Sequence, residues 1–451
     1  MTPQTVLSDT DRVFHTFDLV GVGLGPFNLG LAALAQPLVD SGELSAVFFD
    51  KRPGFAWHPG MMLEESTIQV PFLADLVTMA DPTSEYSFLN FLKHSGRLHQ
   101  FYIRENFFPL RREYSQYCAW VNSRLSTTRW GTEVLAVSPA PAMLRERTGA
   151  RWLLDLSDGR QVLARHVVNG VGTEPFAPPE LSGALHATDS PRAVHSADYL
   201  SARGFLRKAE SVTVIGSGQS AAEIYADLLP AAVAGGRRVD WLTRSPRFFP
   251  MEYTKLTLEM TSPEYARYVR RLPTPARDDL NVSNRALYKG ISAETINHIY
   301  DMLYRLSLDH DLAAHTTLRA GVSVRYSRTV DGHLEFDLAH EETGTRATRR
   351  THAAVLCTGY RSPQIPAFLE PCRAMLNLDA QGRFDLNEDF AADDESTLFA
   401  LNADEHLISL NGPDLGMGPW RNSIVLRAIT GREVYPVERA IAFQDFGGFA
   451  S

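Results

Sequence analysis

The sequence predicts an α/β fold made of two doubly wound units with a small, mainly helical region. First, an apolar strand beginning at Phe17 runs into the glycine turn Gly23-Leu-Gly-Pro-Phe-Asn28. Second, the strand Val212-Thr-Val-Ile215 runs into Gly216-Ser-Gly-Gln-Ser220. Third, residues 250–310 lack the alternation of apolar and polar residues that is typical of strands. A strand, a glycine turn, a helix and a second strand form the first unit of an open sheet with helices on both faces.

The first unit predicts a dinucleotide site. A helical pattern follows from Asn28 to Ala35, and the buried strand Ala46–Asp50 comes next. Glycines let the backbone approach a pyrophosphate, and the helix N-terminus offers unpaired N–H groups. The acid that ends the second strand suits a pair of ribose hydroxyls. The predicted contacts are Gly23, Gly25, Pro26, Asn28, Asp50 and Lys51; a plain glycine turn is the alternative.

The second unit predicts a site for NADPH rather than NADH. Ala221 replaces the third glycine of the pattern, and the strand ending at Thr243 is followed by Arg244 instead of an acid. A carboxylate there would repel a 2′-phosphate, whereas an arginine attracts it, and Arg247 is a candidate helper. The alternative is a surface arginine beyond a strand end. The predicted contacts are Gly216, Ser217, Gly218, Gln219, Ser220 and Arg244.

Two such units with one inserted into the other are the usual plan of enzymes that use FAD and NAD(P)H, and the pair Thr358-Gly359 closes the insertion. The predicted fold is therefore α/β, with two Rossmann-like dinucleotide-binding domains for FAD and NADPH and a small helical substrate region. The predicted limits are 14–205 and 352–451 for the FAD domain, 206–250 and 311–351 for the NADPH domain, and 251–310 for the substrate region.

Composition excludes several other classes. The 451 residues carry a formal net charge of −9 without a Lys/Arg block, which argues against a nucleic-acid partner. The three cysteines, Cys118, Cys357 and Cys372, are scattered, so neither a disulfide framework nor a metal site is expected and a reducing cytoplasm fits. The N-terminus has no secretion signal, and residues 17–35 are too short and too broken for a membrane helix.

The motifs together resemble a known family. They are Gly23-x-Gly-Pro-x-Asn28, Trp57-His-Pro-Gly-Met61, Ile68-Gln-Val-Pro-Phe-Leu-Ala-Asp-Leu-Val-Thr78, Pro82-Thr-Ser84, Ser87-Phe-Leu-Asn90, Gly216-x-Gly-Gln-Ser220 and Thr358-Gly-Tyr360. The chain resembles the microbial flavin-dependent N-hydroxylating monooxygenases of siderophore biosynthesis, which act on ornithine, lysine or diamines. The resemblance covers most of residues 17–430.

The resemblance implies a mechanism and further site residues. NADPH reduces FAD, reduced flavin and O₂ give a C4a-hydroperoxide, and its terminal oxygen passes to a neutral primary amine. Trp57 and His58 are expected along the flavin, with Gln69 near the isoalloxazine and nicotinamide as the catalytic candidate. Gln219 and Ser220 are expected at the NADPH phosphates. A homo-oligomer, by resemblance a tetramer, is also implied.

Two departures from the family pattern point to a substrate without a carboxylate. Ornithine-hydroxylating members carry a lysine that faces the substrate carboxylate where this chain has Ala74. Their substrate-contacting asparagine is missing from the matching stretch 287–292. We therefore expect the diamine-hydroxylating branch, with putrescine or cadaverine as substrate and a hydroxamate siderophore as end point. The candidate partners for the far ammonium are Glu252, Asn281, Tyr288 and Asp414.

Three alternatives stay open. The same enzyme class could take L-lysine or L-ornithine if another cation, such as Lys289, replaced the missing contact. A flavin disulfide reductase shares the two-nucleotide plan but needs a redox cysteine pair, which the sequence lacks. A non-catalytic sensor of FAD and NADPH is disfavoured by the intact Gln69, Trp57 and His58.

Overall fold

The structure is a computed structural model that describes residues 15–185 and 193–447. The predicted end points 14 and 451 lie outside this range. The strands are β1 (His15–Val22), β2 (Ala46–Asp50), β3 (Thr128–Trp130), β4 (Val134–Pro139), β5 (Trp152–Leu156), β6 (Gln161–Asn169), β7 (Glu174–Pro175), β8 (Ala193–His195), β9 (Ser211–Ile215), β10 (Arg238–Leu242), β11 (Leu318–Arg319), β12 (Val322–Val330), β13 (His333–His340), β14 (Arg346–Thr351), β15 (Ala353–Leu356), β16 (Tyr360–Arg361) and β17 (Leu398–Ala400).

Helices cover both main sheets and build the region between residues 255 and 315. They are α1 (Pro26–Asp40), α2 (Phe88–His94), α3 (Leu98–Arg104), α4 (Arg111–Asn122), α5 (Ala142–Thr148), α6 (Pro179–Leu185), α7 (Tyr199–Leu206), α8 (Gln219–Ala234), α9 (Lys255–Leu258), α10 (Pro263–Arg271), α11 (Thr274–Lys289), α12 (Ala293–Leu306), α13 (Leu312–His315), α14 (Glu405–Ile408) and α15 (Met417–Thr430). Within the described ranges, no helix combines the length and apolar character needed to cross a bilayer.

The first sheet confirms the predicted first unit. Its order is β3-β2-β1-β6-β5-β4, and β17 also pairs with β6. Strands β1, β2 and β3 run parallel, whereas β4 and β5 add an antiparallel edge. The close packing of β1 on its neighbour requires Gly21, because a Cβ there would lie 2.0 Å from the ring of Phe48.

The second sheet confirms the second unit but corrects the predicted limits. Its order is β11-β10-β9-β15-β8, and all pairings are parallel. The limits at 205 and 352 would place β8 and β15 in the first domain, whereas both belong to this sheet. Short buried apolar strands give the same pattern in either sheet, so the sequence does not indicate at which crossing the chain changes sheets.

The antiparallel sheet β12-β13-β14 covers one face of the second sheet. Leu334 and Phe336 of β13 are fully buried in a core shared with Leu242 and Leu356 of the parallel strands. The opposite face carries α8 and packs on α12, with Trp241 and Tyr225 in the core between them. The predicted helical region is also confirmed, since α9–α12 occupy most of residues 255–306.

A buried ion pair fixes the loop that precedes α15. Arg421 and Asp404 have fully buried side chains, with Nη1 3.2 Å from Oδ1. The guanidinium also donates from Nη2 to the Gly412 carbonyl at 2.6 Å, and it lies over the Phe27 ring at 4.5 Å. The pair therefore links the loop at residues 404–412 to the first glycine turn.

We expect Arg421→Met to lower the free energy of unfolding by about 3–5 kcal/mol, because Asp404 would remain as a buried charge without its partner. The matched control is Arg432→Met, whose pair with Glu43 has both side chains 53% exposed. That control should change stability by less than about 1 kcal/mol. Urea unfolding of the three proteins measures both effects, and equal losses in the two variants would contradict this assignment.

Candidate active site and cofactor-binding sites

The first glycine turn is shaped for a phosphate group. Gly23 has φ +84°, and a Cβ there would lie 2.8 Å from the Val171 Cα, so a side chain is excluded. Helix α1 begins at Pro26 after Gly25, and no side chain caps its first N–H groups. A pyrophosphate at the predicted FAD site would accept hydrogen bonds from these N–H groups.

Asn28 replaces the usual third glycine because its side chain braces the turn. The buried amide Nδ2 donates to the Gly23 carbonyl at 2.8 Å and to the Val22 carbonyl at 3.2 Å. A Cβ on Gly170 would lie 2.5 Å from this amide, so the glycine after β6 makes room for it. Asn28 therefore stabilises the glycine turn of the predicted site through the backbone carbonyls of Val22 and Gly23.

Asp50 ends β2 beside the turn, as predicted, but its oxygens are engaged. Oδ2 accepts from the Leu24 amide at 2.8 Å, and Arg52 donates to both oxygens, with Nε 2.9 Å from Oδ1. Burial would raise the pKa of Asp50, but these hydrogen bonds lower it, so the carboxylate is ionised. A ribose contact stays a prediction and requires Arg52 to turn away.

Lys51, the next predicted contact, is exposed, and its Nζ lies 3.8 Å from Oε1 of Glu133.

The Trp57–Met61 segment joins the first unit to the second. Gly60 packs so closely that a Cβ would lie 1.8 Å from the Ala197 carbonyl oxygen, just after β8. The Trp57 ring lies 5.2 Å from His58 and 5.1 Å from Tyr114 of α4. The His58 ring lies 5.2 Å from Tyr360, which follows Thr358-Gly359. The segment thus closes one side of the predicted flavin site.

His58 is a neutral group in a left-handed backbone conformation. Its φ is +47°. Burial, together with the nearby Arg111 cation, lowers the pKa of His58 to about 4. A protonated imidazole is therefore not available at this position at neutral pH, and the ring acts by packing.

The Thr358-Gly359 pair closes the insertion, as predicted. Gly359 has φ +83°. Its carbonyl lies 3.1 Å from His195 Nε2, while His195 Nδ1 accepts from the Ala197 amide at 3.1 Å, so Nε2 carries the proton. The Thr358 hydroxyl donates to the Phe176 carbonyl, which holds the returning chain against the chain that leaves the first sheet.

Two side chains of the first unit have a buried polar atom without a partner in the described part of the chain. Gln69 Nε2 and Asn422 Oδ1 are buried without a hydrogen-bond partner among the described residues. Asn422 lines a small cavity with Pro26, Phe27, Tyr114 and Leu415. Buried amides that lack partners are costly, and a flat ring with donors and acceptors on its edge would satisfy them. The residues present therefore fit a flavin.

The second glycine turn has the same design. A Cβ on Gly216 would lie 2.3 Å from the Cys357 carbonyl oxygen. Helix α8 begins at Gln219, and no described side chain caps its first N–H groups. The Gln219 side chain is bonded inside the protein, to the Ser292 amide at 2.9 Å and the Thr295 hydroxyl at 2.9 Å. The predicted phosphate contact of Gln219 would therefore be made by its backbone N–H and not by its side chain.

The other residues of the turn remain accessible. Ser217 is exposed and Ser220 is half-buried in the first turn of α8. Arg244 is exposed just after β10 and forms no ion pair or hydrogen bond with any described residue. An arginine without a partner at this edge of the sheet fits a 2′-phosphate.

Of the predicted substrate residues, the structure brings Ala74 and Asp414 together. Both flank Gly416: a Cβ on Gly416 would lie 3.6 Å from the Ala74 Cβ and 3.0 Å from Asp414 Oδ1. Burial raises the pKa of the Asp414 carboxyl, and burial together with this carboxylate raises the pKa of Tyr253 to about 12. Tyr253 in turn contacts Phe108, with ring centroids 6.4 Å apart.

The segment of Gln69 and Ala74 lies beside these groups. The amides of Ile68 and Phe72 donate to the carbonyls of Pro109 and Phe107, at 2.9 and 2.8 Å. Residues 68–74 and 107–109 therefore run side by side, and Phe108 connects them to Tyr253. Tyr253 and Phe108 were not predicted from the sequence; the aromatic residue directly after the candidate Glu252 was the available signal.

The remaining candidates do not join this group. Glu252 is half-buried, and its carboxylate accepts from the Thr254 amide at 2.8 Å. The other two contact α14. Asn281 donates to the His406 carbonyl at 3.3 Å, and the Tyr288 hydroxyl donates to Glu405 at 2.7 Å. Lys289, the cation considered for an amino-acid substrate, lies 3.5 Å from the same Glu405.

Two mainly parallel sheets, each with a glycine turn before a helix, together with the lack of a redox cysteine pair, fit a flavin-dependent monooxygenase rather than a disulfide reductase. The three cysteines are free and buried. The family model described as L-lysine 6-monooxygenase/L-ornithine 5-monooxygenase matches residues 15–362. The chain belongs to this family.

Several relatives are similar over nearly the whole chain. A putrescine N-hydroxylase of Shewanella oneidensis is 43% identical over 444 residues, 98% of this chain and 86% of its own. A cadaverine monooxygenase of the desferrioxamine pathway from Erwinia amylovora, solved with FAD, is 45% identical with a TM-score of 0.90, covering 98% of this chain and 100% of its own. The ornithine N-hydroxylase of Kutzneria sp. 744, solved with reduced FAD, NADP⁺ and L-ornithine, is 27% identical with a TM-score of 0.79, covering 92% and 99%.

We expect His58→Asn to reduce the loss of stability on acidification. Because the pKa of folded His58, about 4, lies below the ordinary histidine pKa of 6.5, the unfolded chain binds the proton first. The free energy of unfolding therefore falls as the pH drops below about 6.5, by about 1–2 kcal/mol at pH 5 from this residue. Asparagine tolerates the left-handed backbone without titrating.

Urea unfolding of both proteins at pH 7.5 and pH 5.0 measures the difference. Other buried histidines, such as His166 and His195, are common to both proteins and cancel in the comparison. An identical pH-dependent loss in the two proteins would contradict a depressed pKa at His58.

Proposed function

We propose that this chain hydroxylates one amine of an aliphatic diamine, putrescine or cadaverine, with FAD and NADPH as cofactors. The observation that carries the proposal is the pairing of Ala74 with Asp414 across Gly416. A position where a lysine would receive a substrate carboxylate is apolar, and an acid stands next to it. This charge pattern suits a substrate whose far end is an ammonium. The relatives named as putrescine and cadaverine enzymes support the same substrate class.

Asp414 is suited to an ammonium ion because its carboxyl is poorly solvated. Oδ1 accepts from the Met417 amide at 3.1 Å, which orients the group, while burial raises its pKa. An ammonium within hydrogen-bond distance would favour the ionised form and replace lost hydration. The Tyr253 ring beside it offers an aromatic face to the same cation. An α-carboxylate would instead meet a like charge.

The chain's own part in the reaction is positioning and exclusion of water. In one turnover NADPH supplies two electrons, one atom of O₂ enters the amine and the other leaves as water. Asp414 would hold the charged end of the diamine, so the other, neutral amine points towards Gln69. The rings of Trp57, His58, Tyr114 and Tyr360 close the site against solvent, and the unpaired Gln69 amide supplies a donor there.

We further propose a cytoplasmic homotetramer that serves hydroxamate siderophore biosynthesis. Free, buried cysteines are consistent with a reducing compartment. The desferrioxamine pathway named for the Erwinia amylovora relative supports the siderophore role.

The second candidate is hydroxylation of L-lysine or L-ornithine, which the family description names. It requires a cation for the substrate carboxylate in place of Ala74. Lys289 is already 3.5 Å from Glu405, which favours the diamine.

The deciding experiment compares putrescine, cadaverine, L-ornithine and L-lysine with NADPH and FAD in air. We expect hydroxylamine from a diamine, with kcat/KM at least about 100-fold above either amino acid, because a carboxylate next to Asp414 costs several kcal/mol. Hydroxylamine formation and NADPH consumption are both followed. Better turnover of an amino acid would overturn the diamine proposal, and NADPH consumption without any hydroxylamine would overturn the monooxygenase role.

We expect Asp414→Asn to raise KM for the diamine by about 10–100-fold, because a hydrogen bond to a charged partner contributes about 1.5–3 kcal/mol. NADPH oxidation without amine should be unchanged. The control is Glu252→Gln, which changes an acid that is bonded to the Thr254 amide and should keep the wild-type KM. Equal effects of the two substitutions would contradict a specific role for Asp414.

A further inference from the structure

A cavity of about 340 Å³ opens beside the second sheet, away from the predicted flavin site. Its apolar floor is formed by Val322 and Leu338 at the end of the antiparallel sheet. Its rim carries Arg319 at the end of β11 and Arg346 at the start of β14, together with His340. A cavity with an apolar floor and a cationic rim suits an aromatic ligand that carries an anion.

The rim cations are available. Neither Arg319 nor Arg346 forms an ion pair or a hydrogen bond through its side chain with any described residue. Other arginines of the same sheet are paired, since Arg325 binds Glu341 at 2.6 Å and Arg349 binds Asp240. Two unpaired guanidinium groups on one cavity form an anion-binding arrangement rather than part of the surface ion-pair network.

Hydroxyl and imidazole groups add hydrogen-bonding capacity to the rim. The hydroxyls of Thr343 and Thr345 lie 2.8 Å apart in the β13–β14 turn. His340 Nδ1 accepts from the Thr343 amide at 3.3 Å, so Nε2 carries the proton and can donate. An anion in the cavity could accept hydrogen bonds from these groups and from the two arginines.

The cavity adjoins Arg244. Arg319 pairs with Leu242 in the parallel register of β10 and β11, and its carbonyl accepts from the Thr243 amide at 3.0 Å. Two residues further, the Gly321 amide donates to the Ser245 carbonyl at 2.7 Å. The rim therefore lies at the carboxyl ends of the parallel strands, the edge at which nucleotides bind in open α/β sheets.

Glu341 is the acid to consider at this edge. It follows His340, its amide donates to the Gly321 carbonyl at 2.8 Å, and its carboxylate is bonded to Arg325. Arg244 also acts electrostatically on this carboxylate, which places Arg244 near the β13–β14 turn. Arg325 already neutralises Glu341. The cations Arg244, Arg319 and Arg346 outnumber the exposed Glu342 of the same turn, so the rim keeps a net positive charge.

We propose that Arg319 and Arg346 complete the 2′-phosphate site begun by Arg244, and that the cavity receives the adenosine end of NADPH. The proposal rests on NADPH being the reductant, as proposed above. The preference for NADPH over NADH would then depend on three guanidinium groups. One follows β10, one ends β11 and one lies beside the β13–β14 turn.

The test measures binding of adenosine 2′,5′-bisphosphate and 5′-AMP to the FAD-loaded protein by calorimetry, without amine or turnover. These probes differ only by the 2′-phosphate. We expect Arg319→Ala and Arg346→Ala each to weaken the bisphosphate by about 10-fold, consistent with the loss of one charge-assisted hydrogen bond. Affinity for 5′-AMP should change less than about 2-fold. In kinetics, KM for NADPH should rise while KM for NADH stays constant.

Arg328→Ala is the matched control, since it removes a cation of the same sheet that is bonded to Glu335 and does not line the cavity. It should leave the affinities for both probes unchanged. Unchanged bisphosphate binding in the two rim variants, or equal weakening of both probes, would overturn the proposal. Because the assay contains no amine, these outcomes are independent of whether diamines are hydroxylated, and failure of the amine assay leaves the binding result intact.

Discussion

The relation between the two nucleotide-binding units depends on the ion pair of Arg111 and Glu223. Arg111 begins α4 of the first unit, Glu223 lies on α8 of the second, and Nη2 and Oε1 are 2.9 Å apart with both side chains nearly buried. Arg111 also donates from Nη1 to the Met61 carbonyl at 2.6 Å. A bidentate, buried pair tolerates little displacement, so it holds the Trp57–Met61 segment against the helix that starts at the second glycine turn.

The fold could be predicted because the determining signals are local. A strand, two glycines and a helix specify each unit within about twenty residues, and the glycine positions follow from close backbone contacts that the structure contains at Gly23 and Gly216. The assignment of β8 and β15 could not be predicted, because it depends on which sheet edge a short apolar strand meets after a crossover. That choice is made by tertiary packing.

The site was predictable in part, for a related reason. Motif residues such as His58 and Arg244 have roles tied to a turn or strand end, and their positions follow from the fold. Residues that meet across the chain are different: Asp414 reaches Ala74 because Arg421 and Asp404 fix the intervening loop. Asn281 and Tyr288 were equally polar candidates, yet they contact α14, and no spacing in the sequence distinguishes them from Asp414.

The Gln219 side chain has a consequence for how ligands influence one another. It is bonded to Ser292 and Thr295, at the junction of α11 and α12, while its backbone begins the helix that follows the second glycine turn, the predicted NADPH site. A ligand that moves the start of α8 would therefore strain the junction of α11 and α12. A ligand bound in the helical region would move the same junction. By thermodynamic reciprocity, each ligand then changes the affinity of the other by the same factor, so this one side-chain amide couples the two binding regions.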